Sequence, residues 1–444
     1  MATPARNPQD EALKQQLAAL EEQQVSLQFG ELSRRVKKRP VVLFFGRNTF
    51  SDNTKYLYLK AAAEKRSYDV FWCTFEQELV TTLRAAGLPV HALGQDVDRS
   101  IDLLMHAAVA VFSINPSESL RASMALAACL DGAQKLQLWH GVSVKHLLLT
   151  LMPHLSVREL GLRRPWDLGS RADYVLSTAS CFDGYWRRVF GCKKLVRAGF
   201  PRNEVIVRKA SARERIGTEL PMEMADLLEG EQKKVLVVPT WQRERPTWLT
   251  SEEFLRGLAE LGQKRKITFF VKAHPTYSTI GSSTHEVGGL QILHPGIDVY
   301  PLMSRFDALV TDYSSILFDF LHTGKPVLSL DLKPGDHQSF EPDWSLVPDV
   351  DFRERFTGGN FAVKLETALE KDSFQDARRE MRDRIFETDP LAAGDSLMLL
   401  IDRLVKKATA DDFTVDHCVE EPAAAPSESE PAPAQGNRSL TDAA

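Results

Sequence analysis

The chain has 444 residues, of which 43% are hydrophobic and 26% charged, with a formal net charge of -5. That length exceeds one ordinary domain, and the composition is that of a globular protein with two sizeable cores. The mild acidity gives no electrostatic basis for nucleic acid as a partner. Five cysteines, Cys73, Cys129, Cys181, Cys192 and Cys418, form no CxxC pair. Their odd number and irregular spacing argue against a disulfide framework or zinc site and fit a reducing cytosol. The opening residues have no apolar core behind their basic residue, and no run of about 18 apolar residues occurs, so neither a secretory signal nor a membrane span is expected.

Residues 8–29 predict a helix, with Pro8 at its first position after an Asn7 cap. Leu13, Leu17, Leu20 and Leu27 fall on one face, expected to pack on the body or in a short coiled coil. The basic run Arg34, Arg35, Lys37, Lys38 and Arg39 is expected as a solvated face. From Val41 the pattern alternates. Apolar strand-like runs at 41–45, 68–74, 89–93, 108–113, 135–140, 173–177 and 194–199 are interleaved with helical stretches at 52–65, 75–86, 99–107 and 118–130. Such alternation predicts a doubly wound parallel sheet. The polar stretch 210–232 suggests a domain boundary, and a second set of strands follows at 234–241, 266–275, 289–295, 307–312 and 326–330. Helices are expected at 251–263, 314–323, 374–386 and 394–407. Beyond Phe413 no aromatic residue occurs and Pro, Ala, Glu and Ser dominate, a composition expected to stay disordered. The expected organisation is an α/β chain with an N-terminal helix and basic linker (1–39), a first Rossmann-like domain (40–215), a second (216–410) and a tail (411–444).

Ligands of open parallel sheets bind beyond the carboxyl ends of the strands, so the residues that end each strand are the candidates. Trp139-His140-Gly141 ends one run, Lys272-Ala273-His274-Pro275 another, and Thr311-Asp312-Tyr313-Ser314-Ser315 a third. Histidine exchanges protons near neutral pH. For His140 and His274, position alone leaves the functional and structural readings open. Ser314 and Ser315 open a helix after a strand, where amides and hydroxyls favour an anion; simple capping by Asp312 or Ser314 is the other reading. Neither GxGxxG nor GxxxxGK[ST] stands at either domain's first turn, which removes the main support for ATP or NAD as ligand.

Six pieces occur together: SDNTKYLYL (51–59), LWHG (138–141) with Lys145 following, GFPRNE (199–204), VVPTWQ (237–242), VKAHP (271–275) and VTDYSSILFDF (310–320). In that order, over roughly residues 40–335, they resemble the CDP-glycerol glycerophosphotransferase family of teichoic acid polymerases, primases and related capsule polymerases. The resemblance implies a GT-B-like fold, two Rossmann-type domains facing a cleft. It implies transfer of glycerol phosphate, or a related polyol phosphate, from a CDP-linked donor to an acceptor hydroxyl, with release of CMP and with no metal or cofactor. His140 would be the base on the acceptor hydroxyl and His274 would sit by the donor diphosphate. Ser314 and Ser315 would hold that diphosphate, with Asp312, Thr240 and Arg243 as further contacts. Trp139, Gly141, Lys145, Asn53, Arg202, Lys272, Pro275 and Asp319 complete the expected cleft.

The family's Thr-Pro after WHG is replaced by Val142-Ser143, and the Arg often found after PTW by Gln242, with Arg243 and Arg245 close behind. The segment 145–168 mixes a dense apolar stretch with Arg158, Arg163, Arg164 and Trp166. It reads either as a helical insertion or as an interfacial element on anionic lipid. A lipid-linked or polymeric acceptor and a location on the inner face of the cytoplasmic membrane follow from the resemblance. A GT-B glycosyltransferase using a nucleotide sugar and a non-catalytic scaffold of a polymer-assembly complex are the competing readings.

Overall fold

Runs of consecutive apolar residues set the architecture. In the computed structural model, residues 8–144, 172–240, 247–272, 286–287, 289–332 and 342–410 are described. The first sheet consists of β1 (Arg39–Phe45), β2 (Asp69–Thr74), β3 (Val90–Ala92), β4 (Ala107–Phe112), β5 (Gln134–Gln137), β6 (Tyr174–Ser177) and β7 (Lys194–Arg197). Their spatial order is β3-β2-β1-β4-β5-β6-β7, and every pairing is parallel. All six residues of β4 are buried, as are Val41–Phe45 of β1. Side chains alternate between the faces of a strand, so such runs are stable only where helices cover both faces.

The second sheet consists of β8 (Lys233–Val238), β9 (Ile267–Val271), β10 (Glu286–Val287), β11 (Leu290–Ile292), β12 (Ala308–Thr311), β13 (Val327–Leu330) and β14 (Glu354–Phe356). Their order is β10-β11-β9-β8-β12-β13-β14, parallel except for β10 with β11. In each sheet the strand order reverses beside its first strand, at β1/β4 and at β8/β12. These are the switch points where a crevice opens beyond the strand ends.

The last helix, Ala393–Thr409, buries Leu397, Met398, Ile401, Leu404 and Val405 at helical spacing. It packs against β1, β4 and the helix Asp52–Ala63, so the chain returns to the first sheet rather than ending on the second. The expected second domain, 216–410, therefore includes a helix that belongs by packing to the first sheet. Lys60–Asp395 at 2.8 Å, Arg66–Asp402 at 2.7 Å and the Gly394 amide on Glu204 Oε1 at 2.7 Å hold it there.

Several expectations need correcting. The helix expected at 118–130 is two short pieces, Pro116–Ser119 and Met124–Ala128, because Arg121 and Ala122 take positive φ values of 51° and 60° between them. The N-terminal helix runs from Pro8 to Arg35, and its leucine face does not meet the body: Leu13, Leu17, Leu20 and Leu27 are all exposed. Phe29, Gly30 and Ser33 face inward instead, and Ser33 Oγ donates to Cys129 O at 2.6 Å. Nor is the basic run simply a solvated face. Arg34 bonds Asp131 at 3.0 Å, buried Lys38 donates to Met105 O at 2.6 Å, and Arg39 forks onto Asp102 at 2.7 and 3.0 Å. No helix among the described residues is long and apolar enough to cross a membrane.

A buried ionic knot joins the two sheets. Lys55, on the first helix of the first sheet, meets Asp298 of the second at 2.8 Å, and both side chains are fully buried. Lys55 also donates to Ile216 O at 2.8 Å, Tyr56 Oη donates to Asp298 Oδ2 at 2.7 Å, and the Asp298 amide donates to Gly217 O at 2.8 Å. Removing one partner of such a pair leaves an uncompensated charge and costs about 3–5 kcal/mol. Denaturant unfolding should show that loss for Asp298→Ala, and a smaller one when Lys55→Met is added. Equal losses in the single and double variants would show that the charge of Lys55 is not what the carboxylate holds.

Candidate active site at the facing strand ends

The strand β5 stops at Gln137, short of the expected His140, because the chain turns sharply there. Trp139 has φ 57° and Gly141 φ 139°. A tryptophan in the left-handed region is strained and persists only where its surroundings over-determine it. Here Asn53 Nδ2 donates to Trp139 O at 2.7 Å and the Trp139 amide donates to Gln137 Oε1 at 2.9 Å. The indole packs edge-on against Phe190 and Trp186, with ring centroids 5.3 and 6.2 Å away. The half-buried His140 is thereby presented beyond the strand ends. Its Nδ1 lies 3.3 Å from Ser113 O. A carbonyl only accepts, so this hydrogen bond forms in the tautomer protonated at Nδ1, which puts the basic lone pair of the neutral ring on Nε2. Ser113 is itself fixed by Thr54, whose Oγ1 lies 2.6 Å from Ser113 Oγ and whose amide donates to it at 3.0 Å.

On the second sheet, Asp312 accepts from the Thr240 amide at 3.0 Å, from Thr240 Oγ1 and from the Tyr313 amide at 2.7 Å. Asp312 and Thr240, both expected on a diphosphate, are thus turned to each other and tie the end of β8 to the end of β12. Half-buried Ser314 and Ser315 follow, at the start of the short helix Ile316–Phe320. A β-carbon at Gly141 would lie 2.9 Å from Ser315 Cβ and Oγ and 2.9 Å from Arg202 Nη2. The histidine loop of one sheet and the serine turn of the other are therefore in contact.

Arg202, in the turn Pro201–Asn203 after β7, is 1% exposed. Its Nη1 meets Asp52 at 2.7 Å and its Nη2 meets Asp319 at 2.6 Å. The guanidinium lies over Tyr300, 4.4 Å from the ring centroid, and Tyr300 Oη reaches Asp319 at 3.3 Å. Burial pushes both carboxyls up, and Arg202 pulls against that shift. Burial alone would lower Arg202, but Asp319, Tyr300 and Asp52 raise it. The expected cleft residues Arg202 and Asp319 are thus spent on bridging the two sheets. Lys272, just past β9, donates to Pro295 O at 2.9 Å. Its pKa is lowered to about 8, by burial first and by Arg47 as well, with Asp298 opposing.

His274, Pro275, Arg243, Lys145 and the segment 145–168 lie outside the described residues. The sequence reading did not single out Asp52, Lys55, Ser113, Asp298 or Tyr300. Asp52 and Lys55 stand inside SDNTKYLYL, so that motif carried the signal. Nothing in the IDVYPL stretch marks Asp298 and Tyr300, whose roles arise from packing. Among the described residues no group of three or more His, Cys, Asp or Glu could hold a metal ion.

The family described as CDP-Glycerol:Poly(glycerophosphate) glycerophosphotransferase matches residues 27–333. The chain is 26% identical over 204 residues to a teichoic acid poly(glycerol phosphate) polymerase of Staphylococcus epidermidis, covering 42% of this chain and 26% of that protein. It is 24% identical over 208 residues to a teichoic acid glycerol-phosphate primase of Bacillus subtilis, covering 45% and 50%. The match thus spans between a quarter and a half of these relatives' length. Among solved structures, the wall teichoic acid polymerase TagF superposes with a TM-score of 0.66 at 17% identity, covering 91% of this chain and 100% of that one. A putative UDP-N-acetylglucosamine 2-epimerase from Listeria monocytogenes gives 0.51 at 12% identity, covering 84% and 98%. These likenesses show the fold, GT-B-like, with two Rossmann-type sheets.

The contact at Gly141 has a direct consequence. Gly141→Ala puts a methyl group into Ser315 and Arg202 at a φ that favours glycine, a strain on the order of 1–3 kcal/mol. Thermal unfolding should show a lowered midpoint. An unchanged midpoint would mean that the two loops are not in contact in solution.

Proposed function

The chain belongs to the CDP-glycerol:poly(glycerophosphate) glycerophosphotransferase family, and from that footing we propose that it transfers glycerol phosphate, or a related polyol phosphate, from a CDP-linked donor to an acceptor hydroxyl, releasing CMP. The observation that carries this reading is the contact between the His140 loop and Ser315. It sets a proton acceptor against a turn of hydroxyl and amide donors, which is what displacement at a diphosphate needs.

The reaction is a displacement at the donor's distal phosphorus. An acceptor oxygen forms a bond to it, the P–O bond to CMP breaks, and the hydroxyl proton passes to Nε2 of His140. Ser314 and Ser315 donate to the diphosphate oxygens. His274, protonated and two residues beyond Lys272, stabilises the charge on departing CMP. Phosphoryl transfer gains chiefly from alignment and from charge stabilisation, so the rigidity of the His140 loop is the structural contribution. The acceptor in this reading is a lipid-linked or polymeric phosphate or glycan chain at the inner face of the cytoplasmic membrane, with 145–168 resting on anionic lipid.

CMP release should be screened over CDP-glycerol, CDP-ribitol and nucleotide sugars. Consumption of a UDP-sugar alone would make the chain a glycosyltransferase, and no turnover with any donor would leave a scaffold. Folded His140→Ala should lose ~10²–10⁴-fold in turnover while retaining donor binding, the scale of general base catalysis. Near-normal turnover would remove His140 from that role.

Lys272 predicts a pH dependence. Its folded pKa of about 8 lies below the ordinary 10.5. The unfolded chain therefore holds more protons between these values, and the stability tied to Lys272 is full above 10.5 and falls as pH drops through about 8. Its charge toward the donor runs the opposite way, so kcat/KM for the donor should decline as pH rises through about 8. Lys272→Arg should flatten that limb. An identical limb in the variant would assign it to another group.

A further inference from the structure

Beside the serine turn lies a small cavity of about 50 Å³, and the reaction described above does not use it. It is walled by Tyr313, Ser329, Asp331, Trp344, Arg353 and Arg355, among others. Arg353 is only 8% exposed. Its Nε donates to Ser329 Oγ at 2.9 Å, and its guanidinium lies over the Trp344 ring, 3.8 Å from the centroid, with Phe352 at 5.0 Å. No carboxylate bonds it among the described residues. The other two buried arginines among the described residues differ: Arg202 bonds Asp52 and Asp319, and Arg378 bonds Asp372. Of the nearby acids, Asp312 in the cavity wall is turned to Thr240 and the Tyr313 amide, Asp351 is bonded to Arg355 at 3.1 Å and Asp331 is exposed. Burial, with Arg355 adding to it and Asp351 and Asp331 opposing, lowers Arg353 to about 10, so it remains charged at neutral pH.

A buried cation without a counter-charge is costly, and the cost falls when an anion arrives. Two tethers place this cavity at the reaction site. Tyr313, in its wall, directly precedes Ser314 and Ser315. The Asp343 amide, one residue before Trp344, donates at 2.6 Å to Val144 O, four residues beyond His140. A guanidinium whose Nε is already engaged still presents its two terminal nitrogens, a geometry suited to two oxygens of one tetrahedral anion. We propose that the Arg353 cavity receives a phosphate-type oxyanion of a substrate, making Arg353 a substrate-binding residue of the site. The proposal rests on the functional reading above. The oxyanion is either the donor's diphosphate or a phosphodiester of the acceptor chain.

The test uses the full chain with Arg353→Gln and Arg353→Lys. Inorganic phosphate, compared with chloride at equal ionic strength, should raise the melting temperature of the unsubstituted protein more than that of Arg353→Gln. In turnover, Arg353→Gln should raise one substrate's KM roughly ten- to hundredfold, the value of a charge-assisted hydrogen bond, with little change in kcat and partial recovery in Arg353→Lys. A rise confined to the donor KM names the diphosphate; one confined to the acceptor KM names the acceptor phosphate. A folded Arg353→Gln protein with both KM values and the phosphate response unchanged overturns the proposal. If Arg353→Gln does not fold, the absence of any phosphate-specific stabilisation in the unsubstituted protein overturns it. Should the unsubstituted protein consume no CDP-alcohol, the functional reading fails, while the phosphate titration still judges the cavity.

Discussion

A guanidinium held between two carboxylates from different sheets is the constraint on which the site depends. Arg202 reaches Asp52 at the head of the first sheet's leading helix and Asp319 in the short helix after β12. Arg202 and Asp319 are almost fully buried and Asp52 half-buried, so the guanidinium and Asp319 are tolerable only while they stay together. The Lys55–Asp298 pair repeats the arrangement nearby, with Tyr56 on the same carboxylate. Two buried ionic contacts fix both the separation of the sheets and their rotation. Hydrophobic contact alone is non-directional and would leave that rotation loosely set.

The chemistry follows from that fixed geometry. His140 sits on a strained turn whose carbonyl and amide are held by Asn53 and Gln137. Asn53 adjoins Asp52, so the residue that positions the histidine loop is next to the one that binds Arg202. Arg202 in turn touches the place where Gly141 has no side chain. Bridge, histidine and serine turn thus form one connected unit, and a displacement there would disturb all three. Arg353 stands apart because no carboxylate bonds it among the described residues, and that difference separates an arginine that builds the site from one suited to a ligand.

The strands were largely legible because a run such as AVAVF has no stable alternative to burial on both faces. Ser314, Ser315 and His140 were legible as strand-end residues within ordered motifs. The broken helix at 118–130 was not, since its residues have adequate helix propensity and the break comes from the positive φ of Arg121 and Ala122. β14 and the helices Asp183–Phe190 and Phe361–Glu370 also escaped notice, being short or only partly buried. The exposed leucines of the first helix do not pack on the body, the first of their two expected arrangements: an apolar stripe states what could be buried, not which face meets the body.

By itself the sequence determined the α/β class, the two sets of parallel strands, the family and the residues standing at the strand ends. Local pattern suffices for these, because periodicity and turn chemistry act over a few neighbouring residues. Only the tertiary structure decided that Asp312 faces Thr240, that Arg202 serves as a bridge, that the last helix returns to the first sheet and that Arg353 is buried with no carboxylate bonded to it among the described residues. Each of these depends on which distant group occupies the other side of a contact. Burial changes the energy of a charge by far more than any local preference, and it is settled only when the two sheets have come together.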